Sequence, residues 1–139
     1  MKNLIDHILE ARVTNLNTIL YGDVYNLLNS QEISYSACVV ELLDSNVSGK
    51  LTTHRLRIVI VDRLLEDESN LLDVYDVSLM QMRNVLNHIQ EEYDLETSFT
   101  INYIKQDFAD HLAGVYCDVN ITDLTYFCEF SPIENEDED

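Results

Sequence analysis

Three residues near the start of the last predicted strand are of the types that carry out nucleophilic catalysis. Asp110 directly precedes His111, and Cys117 follows six residues later. A cysteine beside a histidine can act as a nucleophile when an acid orients the imidazole that takes its proton. Cys117 alternates onto the predicted inward face of its strand, where a thiol is usually an inert, small apolar side chain. The sequence therefore favours a core cysteine and predicts no catalytic residue.

The other two cysteines also have the pattern of packing residues. Cys38 alternates onto the strand face opposite Tyr35 and Val39, and Cys128 follows an aromatic pair near the end of the chain. Three cysteines at wide spacing do not make the dense pattern of a secreted disulfide scaffold. We predict that all three are reduced, buried thiols.

Metal and cofactor sites lack their usual spacing in this chain. There is no Cys-x-x-Cys, no His-x-x-x-His and no His-Glu-x-x-His, and these are the common zinc-ligand patterns. The acidic run at residues 66–68, with Asp62 and Asp73, lacks the glycine and the ligand spacing of an EF-hand loop. It indicates a charged loop, with weak divalent-ion binding as the alternative. The three glycines are scattered, so no phosphate-binding loop is predicted. We expect no metal site and no cofactor.

The charge balance limits the partners of the protein. The 139 residues, enough for one domain, contain 26 Asp and Glu against 8 Lys and Arg, a formal charge of −18. Affinity for the DNA backbone comes from cations that neutralise phosphates, so ordinary nucleic-acid binding is not expected. Such a field lets DNA pass nearby without binding. It also suits an acidic mimic of DNA that occupies a basic pocket on another protein.

No segment has the pattern of a membrane span or a signal peptide. The longest apolar stretch, near residues 56–61, is interrupted by Arg57 and falls far short of the roughly 20 residues that a span needs. Asp6, His7 and Glu10 interrupt the apolar core that a signal peptide would need. We expect a protein that stays in the compartment where it is made and does not enter a membrane.

Hydrophobic periodicity predicts the first half of the fold. Leu4, Ile5, Ile8 and Leu9 lie at helical spacing and indicate a helix over residues 3–13, whereas residues 17–25 give no clear element. Strands are predicted over residues 34–43 and 55–63. The connection over residues 44–53 is rich in Ser, Thr, Asn and Gly and predicts a long polar hairpin loop.

The second half begins with the clearest pattern in the chain. Tyr75, Leu79, Met82, Leu86, Ile89 and Tyr93 recur every three or four residues and predict an amphipathic helix that packs on a sheet. Alternation then predicts strands around residues 99–103 and 115–121, joined by a linker over residues 105–114 in which Gly114 supplies a bulge or a positive φ. Residues 134–139 are almost entirely acidic.

The order of these elements predicts an α+β fold. We expect an antiparallel sheet of about four strands in two hairpins, packed by the long central helix and an N-terminal helix. Residues 1–130 form one domain in this prediction. Residues 131–139 form an acidic, solvated C-terminal tail.

With this element order, the sequence resembles the neck or tail-terminator-like proteins of tailed bacteriophages, in particular the portal–tail ring proteins of crAss-like Bacteroides phages. The resemblance covers residues 15–128. It rests on Asn-Thr-Ile-Leu-Tyr-Gly-Asp-Val at residues 17–24, the strand pair, the helix over residues 75–93, and Phe-Ala-Asp-His-Leu-Ala-Gly-Val at residues 108–115 entering a last strand that ends near Cys128.

The resemblance implies a virion protein without enzymatic activity, synthesised in the cytoplasm of a bacterial host. Such a protein would form a homo-oligomeric ring of six- or twelve-fold symmetry at the portal–tail junction, beside portal, adaptor or tail-tube ring proteins. DNA would pass through the ring without specific binding. The alternative is the acidic mimic or inhibitor of a basic partner, and a small enzyme that uses Cys117 is a third hypothesis.

Overall fold

The fold is that of a computed structural model, which describes residues 1–29, 33–96, 98–107 and 110–123. Within these residues, helices lie on both faces of one six-stranded sheet. The helices are α1 (Lys2–Leu9), α2 (Val24–Leu28) and α3 (Leu71–Gln90). The strands are β1 (Thr18–Tyr21), β2 (Ala37–Ser48), β3 (Leu51–Arg63), β4 (Asp94–Leu95), β5 (Ile101–Asp107) and β6 (His111–Asp123). The predicted α+β class is confirmed.

The sheet is mixed, so the prediction of about four strands, all antiparallel, is wrong in both respects. Its order is β1-β2-β3-β6-β4, with β5 also paired to β6. β1 is parallel to β2, and every other pair is antiparallel. Parallel neighbours need a crossover connection, and the chain between β1 and β2 contains α2. β1 and β4 have four and two residues, too few for alternation to reveal them.

The predicted hairpin loop over residues 44–53 is mostly strand. β2 continues to Ser48 and β3 begins at Leu51, so only Gly49 and Lys50 form the turn. Gly49 has φ +61°, a left-handed conformation that glycine adopts without a steric cost. The register shifts between Leu42 and Asp44, which is the mark of a β-bulge. Polar residues here extend the two strands beyond the core instead of forming a loop.

The larger core lies between α3, α1 and one face of the sheet. Leu56, Ile58 and Ile60 of β3 are buried there, as predicted, together with Val115, Cys117, Val119 and Ile121 of β6. From α3 the buried residues are Val74, Ser78, Gln81, Met82, Val85, Leu86 and Ile89. Met82, Leu86 and Ile89 confirm the prediction. Tyr75 and Leu79 are only half-buried, so the buried stripe is rotated in the first half of the helix.

Two buried polar residues explain that rotation. The Ser36 hydroxyl donates to Gln81 Oε1 at 3.0 Å, and Gln81 Nε2 donates to the carbonyl oxygen of Thr14 at 3.2 Å. Because both polar ends of Gln81 are satisfied, its burial carries little cost. The helix is thereby fixed against the segments that precede β1 and β2.

α1 ends at Leu9, four residues before the predicted end at Val13. His7 Nε2 donates to the carbonyl oxygen of His88 at 2.8 Å, and His88 Nε2 donates to that of His7 at 2.7 Å. The imidazoles stack with centroids 4.0 Å apart. This reciprocal pair joins the last turn of α1 to the last turn of α3, and Leu4, Ile5 and Ile8 are buried beside it.

A smaller core lies on the opposite face of the sheet under α2. It contains Leu28, Ile33, Ala37, Val39, Val59, Val61 and Leu112. Residues 17–25, which gave no clear element, form β1 and the start of α2, and the Asp23 side chain caps α2 by accepting from the Asn26 amide at 3.0 Å. β2 and β3 are buried on both faces at residues 37–40 and 58–61, and there their sequences are continuous apolar runs.

Gly114 lies inside β6, paired with Val61 of β3, and has no positive φ. The expectation of a bulge or positive φ there is therefore wrong. The glycine is needed because a β-carbon would lie 1.9 Å from the carbonyl oxygen of Ile60. Phe108, the end of the last strand near Cys128, the domain boundary at residue 130 and the acidic tail lie outside the described residues.

Candidate functional site

The residues of the candidate nucleophilic site are not brought together. Cys117 and His111 both lie on β6, six residues apart, which at about 3.3 Å per residue is roughly 20 Å. Cys117 is fully buried, and burial, followed by the nearby Asp118 carboxylate, raises its pKa to about 11. A thiol with such a pKa is protonated near neutral pH and is a poor nucleophile.

Cys38 is buried in the same core, as predicted. Burial raises the pKa of its thiol to about 12. Both cysteines within the described residues are free thiols. The prediction of buried, reduced thiols is confirmed for Cys38 and Cys117, whereas Cys128 lies outside the part of the chain that the structure describes.

His111 belongs instead to a network of charged side chains at one end of the sheet. Its Nδ1 hydrogen-bonds Asp107, and its Nε2 hydrogen-bonds Glu68 Oε2 at 3.2 Å. Lys105 Nζ donates to the other oxygen of Glu68 at 2.9 Å. The hydrogen bond to Asp107 is the main reason that the pKa of His111 is raised, and the bond from Lys105 lowers the pKa of Glu68. The His111 imidazole therefore connects the ends of β5 and β6 to the loop before α3.

The predicted acidic loop does not converge into a cation site. Asp67 accepts from the Ser69 amide at 3.0 Å and Asp62 from the Arg63 amide at 2.7 Å, while Glu68 faces His111 and Lys105. Among the described residues, no group of three or more His, Cys, Asp or Glu side chains has the geometry to hold a metal ion.

The hairpin arm, residues 44–53, extends from the opposite end of the sheet. Most of it is exposed, and two large apolar side chains lie on either side of its turn: Val47 is 55% exposed and Leu51 is 42% exposed. Lys50 is the only charged residue between positions 45 and 53. Apolar side chains at the exposed tip of a hairpin are poorly placed for core packing and well placed for contact with another molecule.

Paired strands and ion pairs support the arm. At its base Arg55 contacts Asp44 through two nitrogens, the shorter distance being 2.6 Å. Next to it, Arg57 makes a two-pronged contact with Asp118 at 2.8 and 3.0 Å and lies over the Tyr116 ring. β6 also pairs with β3 as far as Thr52. The arm is therefore a three-stranded extension for part of its length.

The β2 edge of this arm is unpaired in the part of the chain that the structure describes. β1 pairs only with residues 37–40 of β2, so residues 41–48 have a strand partner on the β3 side alone. Unpaired edges can accept a strand from another chain unless a bulge or a charge protects them. The bulge after Leu42 and the carboxylate of Asp44 provide some protection. This protection makes addition of a strand at the edge less favourable, so the tip of the arm is the better candidate for a contact with another molecule.

The hairpin arm and the segment over residues 105–114 lie at opposite ends of the sheet. The hairpin turn is at the start of β3, and the described residues of the 105–114 segment, including His111 and Leu112, are near its end at Arg63. β3 has 13 residues and is therefore roughly 40 Å long at about 3.3 Å per residue. A rigid sheet thus separates two exposed, chemically different ends.

α3 presents a second exposed apolar surface on the side away from the core. Leu72 is 75% exposed and Met80 is 58% exposed. A shallow groove of about 410 Å³ runs along this side, lined by Asp76, Leu79, Met80, Arg83, Asn84 and Asn87. We call the surface formed by Leu72 and these groove residues the outer face of α3. The stripe predicted over residues 75–93 indicates only the packed side of the helix. The apolar residues Leu72 and Met80 lie outside that stripe, and they were the sequence signal for an exposed apolar side.

Two other concavities among the described residues are open. One of about 250 Å³ lies on the sheet beside α2 and is lined by Tyr25, Glu41, Arg57 and Tyr116 among others. Another of about 580 Å³ lies beside Tyr35 and Arg63. The Tyr35 hydroxyl is buried without a hydrogen bond to any described residue, and burial is the main reason that its pKa is raised. Neither concavity gathers the convergent polar groups of an enclosed ligand site.

Comparisons with known proteins do not assign a family. No protein-family model matches the sequence, and no curated protein matches it. Within the described residues, none of the helices combines the length and apolar character that crossing a membrane requires.

Proposed function

We propose that the protein is a non-enzymatic structural subunit that forms a ring at the portal–tail junction of a tailed bacteriophage. In this proposal the subunit joins neighbouring layers of the particle through its surfaces and lets DNA pass through the centre. The observation that carries the proposal is the position of the hairpin arm and the His111 network at the two ends of a rigid sheet, where each can contact a different neighbouring layer.

The rest of the molecule also favours a role in protein–protein contacts over a catalytic role. The two described cysteines have raised pKa values, and His111 is held by two carboxylates instead of facing a nucleophile. Exposed apolar side chains lie on the arm and on the outer face of α3. A domain that exposes apolar side chains in this way is suited to act through contacts with neighbouring proteins.

The charge supports a channel that does not bind DNA. Four cations already pair with acids of the same chain: Arg55 with Asp44, Arg57 with Asp118, Lys105 with Glu68, and Arg63 with Asp110. These pairs involve half of the eight Lys and Arg residues, and neutralisation of phosphates by such cations is the source of affinity for the DNA backbone. A layer of such subunits would repel DNA and allow it to slide.

Electron microscopy of virions, or of a reconstituted portal complex, tests the proposal. The expected result is a cyclic layer of this chain between the portal and the tail, with the arm and the His111 end directed towards different layers. Absence of the chain from assembled particles would contradict the proposal. A variant that shortens the arm by deleting residues 46–52 should be excluded from particles if the arm makes a layer contact.

The charge also supports a second candidate function, an acidic protein that occupies a basic pocket on a partner. The formal charge of −18 is the observation in its favour, since acidic surfaces can imitate the field of DNA. Such a protein should bind one basic partner with an affinity that falls steeply as salt rises. Recovery of a single copy bound to a host nucleic-acid enzyme would favour this function over the ring.

A further inference from the structure

We infer that two free copies of the chain pair through the outer face of α3, with the two helices antiparallel about a two-fold axis beside Met80. Asp76 of each copy then lies opposite Arg83 of the other, on either side of a central contact between the two Met80 side chains. The contact does not involve the hairpin arm or the His111 network. It goes beyond the proposed ring, because it describes subunits that have not yet joined a particle.

Four residues follow one line along the outer face of α3. Asp76, Met80, Arg83 and Asn87 are separated by four, three and four positions, and all four are exposed. They also line the groove of about 410 Å³. Residues at this spacing lie one above another on a helix. The line is on the opposite side from the residues that α3 buries in the larger core, so a second copy can reach it.

The two charges on this line lack partners in the part of the chain that the structure describes. None of the ion pairs there includes Asp76 or Arg83. The two residues are seven positions apart, about 10 Å along the helix axis, which is too far for direct contact. Neither has an opposite charge three or four positions away, the spacing at which side chains pair on a helix. Both charges can therefore pair with another copy.

The distribution of charge along α3 selects a second copy in the antiparallel direction. Residues 71–79 contain Asp73 and Asp76 and no Lys or Arg, whereas residues 80–88 contain Arg83 and no acid. A parallel pair would place like charges side by side, which is costly. An antiparallel pair places Asp76 opposite Arg83 twice, and Asp73 beside the amide of Asn87. A face that carries both signs is thus complementary to the same face turned round, which is an isologous contact.

Apolar surface at the axis supplies the attraction. Met80 is 58% exposed, and its removal from water on pairing is favourable. The unbranched thioether side chain adapts to an irregular surface, so two copies of Met80 can pack together at the centre. One helix face from each copy makes a small interface, and small interfaces are typical of weak, transient complexes. Neighbours in a cyclic ring are not related by such a two-fold axis, so the pair must separate before a ring forms.

Disulfide trapping tests the position of the axis. In a Cys128→Ser background, whose described native thiols Cys38 and Cys117 are fully buried, Met80→Cys is oxidised. We expect a covalent dimer and no larger species, because each copy supplies one thiol and that thiol lies at the axis. A series of larger species, or no dimer, would overturn the inference.

Leu72→Cys in the same background is the matched control. Leu72 is 75% exposed, more than Met80, so random collisions would cross-link it at least as fast. In the antiparallel pair the two copies of residue 72 lie about 22 Å apart along the helices, whereas a disulfide requires α-carbons within about 7 Å. We therefore expect Leu72→Cys to cross-link at least tenfold more slowly than Met80→Cys. Equal rates would overturn the antiparallel alignment.

Charge reversal supplies an independent measurement. At about 0.15 M salt, where charges in contact still interact, Asp76→Arg and Arg83→Asp should each slow Met80→Cys cross-linking about tenfold, because each variant loses two exposed ion pairs worth about threefold each. Asp76→Arg reduces the net negative charge of the chain by two, and Arg83→Asp increases it by two. A slower rate in both variants would therefore reflect local pairing and not overall repulsion.

The double variant Asp76→Arg with Arg83→Asp completes the charge experiment. It keeps the formal charge of −18 and exchanges the two signs, so the original rate of cross-linking should return. Both positions are exposed, and melting temperatures should stay at the wild-type value. Failure of the double variant to restore the rate would overturn the pairing of Asp76 with Arg83.

The outcomes separate this inference from the proposed function. A cyclic layer in particles without a Met80→Cys dimer would overturn the pairing through α3 and leave the ring in place. A dimer without any cyclic layer in particles would support the pairing and overturn the ring. A dimer of the free protein together with a cyclic layer in particles supports both.

Discussion

At position 114 the backbones of β3 and β6 lie so close together that no side chain fits between them. A β-carbon there would lie 1.9 Å from the carbonyl oxygen of Ile60 and 2.8 Å from the Cα of Val61. Both contacts are to backbone, so relief requires the two central strands to move apart. We expect Gly114→Ala to lower the free energy of unfolding by about 3 kcal/mol, the upper range for overpacking, measured by chemical denaturation.

Gly49 provides the matched comparison. A β-carbon at Gly49 would have no neighbour within 4 Å, and the only penalty is the positive φ of +61°. We expect Gly49→Ala to cost about 1 kcal/mol. Equal losses from the two variants would show that close approach of the strands is not the reason for the glycine at position 114.

A second residue-scale prediction concerns the pH dependence of stability at His111. Its folded-state pKa is raised above the ordinary 6.5, first by the hydrogen bond with Asp107 and then by Glu68. The charged imidazole therefore contributes stability that is fully present below the unfolded-state pKa and is lost as pH rises through the folded-state pKa. We expect His111→Gln to remove this dependence, so that melting temperatures of wild type and variant converge as pH rises from about 6.

Lys105→Gln serves as the control for that experiment. It removes the 2.9 Å bond to Glu68 but leaves the titrating imidazole, so the wild-type trend near neutral pH should persist. The lowered pKa of Glu68 acts in a different window, since its contribution is lost as pH falls through the folded-state pKa. If the pH dependence of the melting temperature near neutral pH persists in His111→Gln, that dependence arises from another group.

At the scale of elements, the sequence predicted the helices and strands that are long enough to show a periodic hydrophobic pattern. α3, β2, β3 and β6 have 12 to 20 residues each, and their existence and types were predicted. β1, α2 and β4 have five residues or fewer. Their structure depends on tertiary pairing, such as that of β1 with β2, which a local pattern does not contain.

The rotation of α3 shows why contact details were missed. Gln81 is polar, and its burial depends on Ser36 and Thr14, which are 45 and 67 residues away. The His111 network was missed for the same reason, since Glu68 is 43 residues from His111. Polar residues also continue to pair in the loop predicted over residues 44–53 and in the linker predicted over residues 105–114, so most described residues of both segments are strand and both predictions are wrong.

The second half of α3 gives the element-scale prediction. Leu86 is 2% exposed in the larger core, so Leu86→Asp buries a carboxylate without a partner. We expect a loss of more than about 3 kcal/mol in the free energy of unfolding, measured by chemical denaturation. Asn87→Asp is the control, because Asn87 is exposed one residue later and should change stability by less than about 0.5 kcal/mol. Wild-type stability of Leu86→Asp would contradict the packing of the helix.

At the scale of the whole molecule, the charge predicts no measurable affinity for duplex DNA at physiological salt. Binding would require cations that are already paired, such as Arg57 with Asp118, and the total of −18 repels the phosphates. Fluorescence anisotropy with a labelled duplex should show no change at micromolar protein. A shift that weakens with added salt would show that a basic surface exists outside the pairs described here.

The same charge predicts the salt dependence of assembly, and its sign separates the two candidate functions. Subunits of −18 repel one another over a Debye length of about 10 Å at 0.1 M salt, which shrinks to about 3 Å at 1 M. The apolar groups of the arm and of the outer face of α3 lose none of their attraction over this range. Self-association, measured by sedimentation velocity, should therefore strengthen as sodium chloride rises. An acidic mimic bound to a basic partner should instead dissociate over the same range, because its affinity comes from opposite charges.

Met80→Asp, which adds a carboxylate to the outer face of α3, should abolish the salt-promoted association and leave the melting temperature unchanged. Association of this variant at high salt to the wild-type extent would show that the subunits meet through another surface.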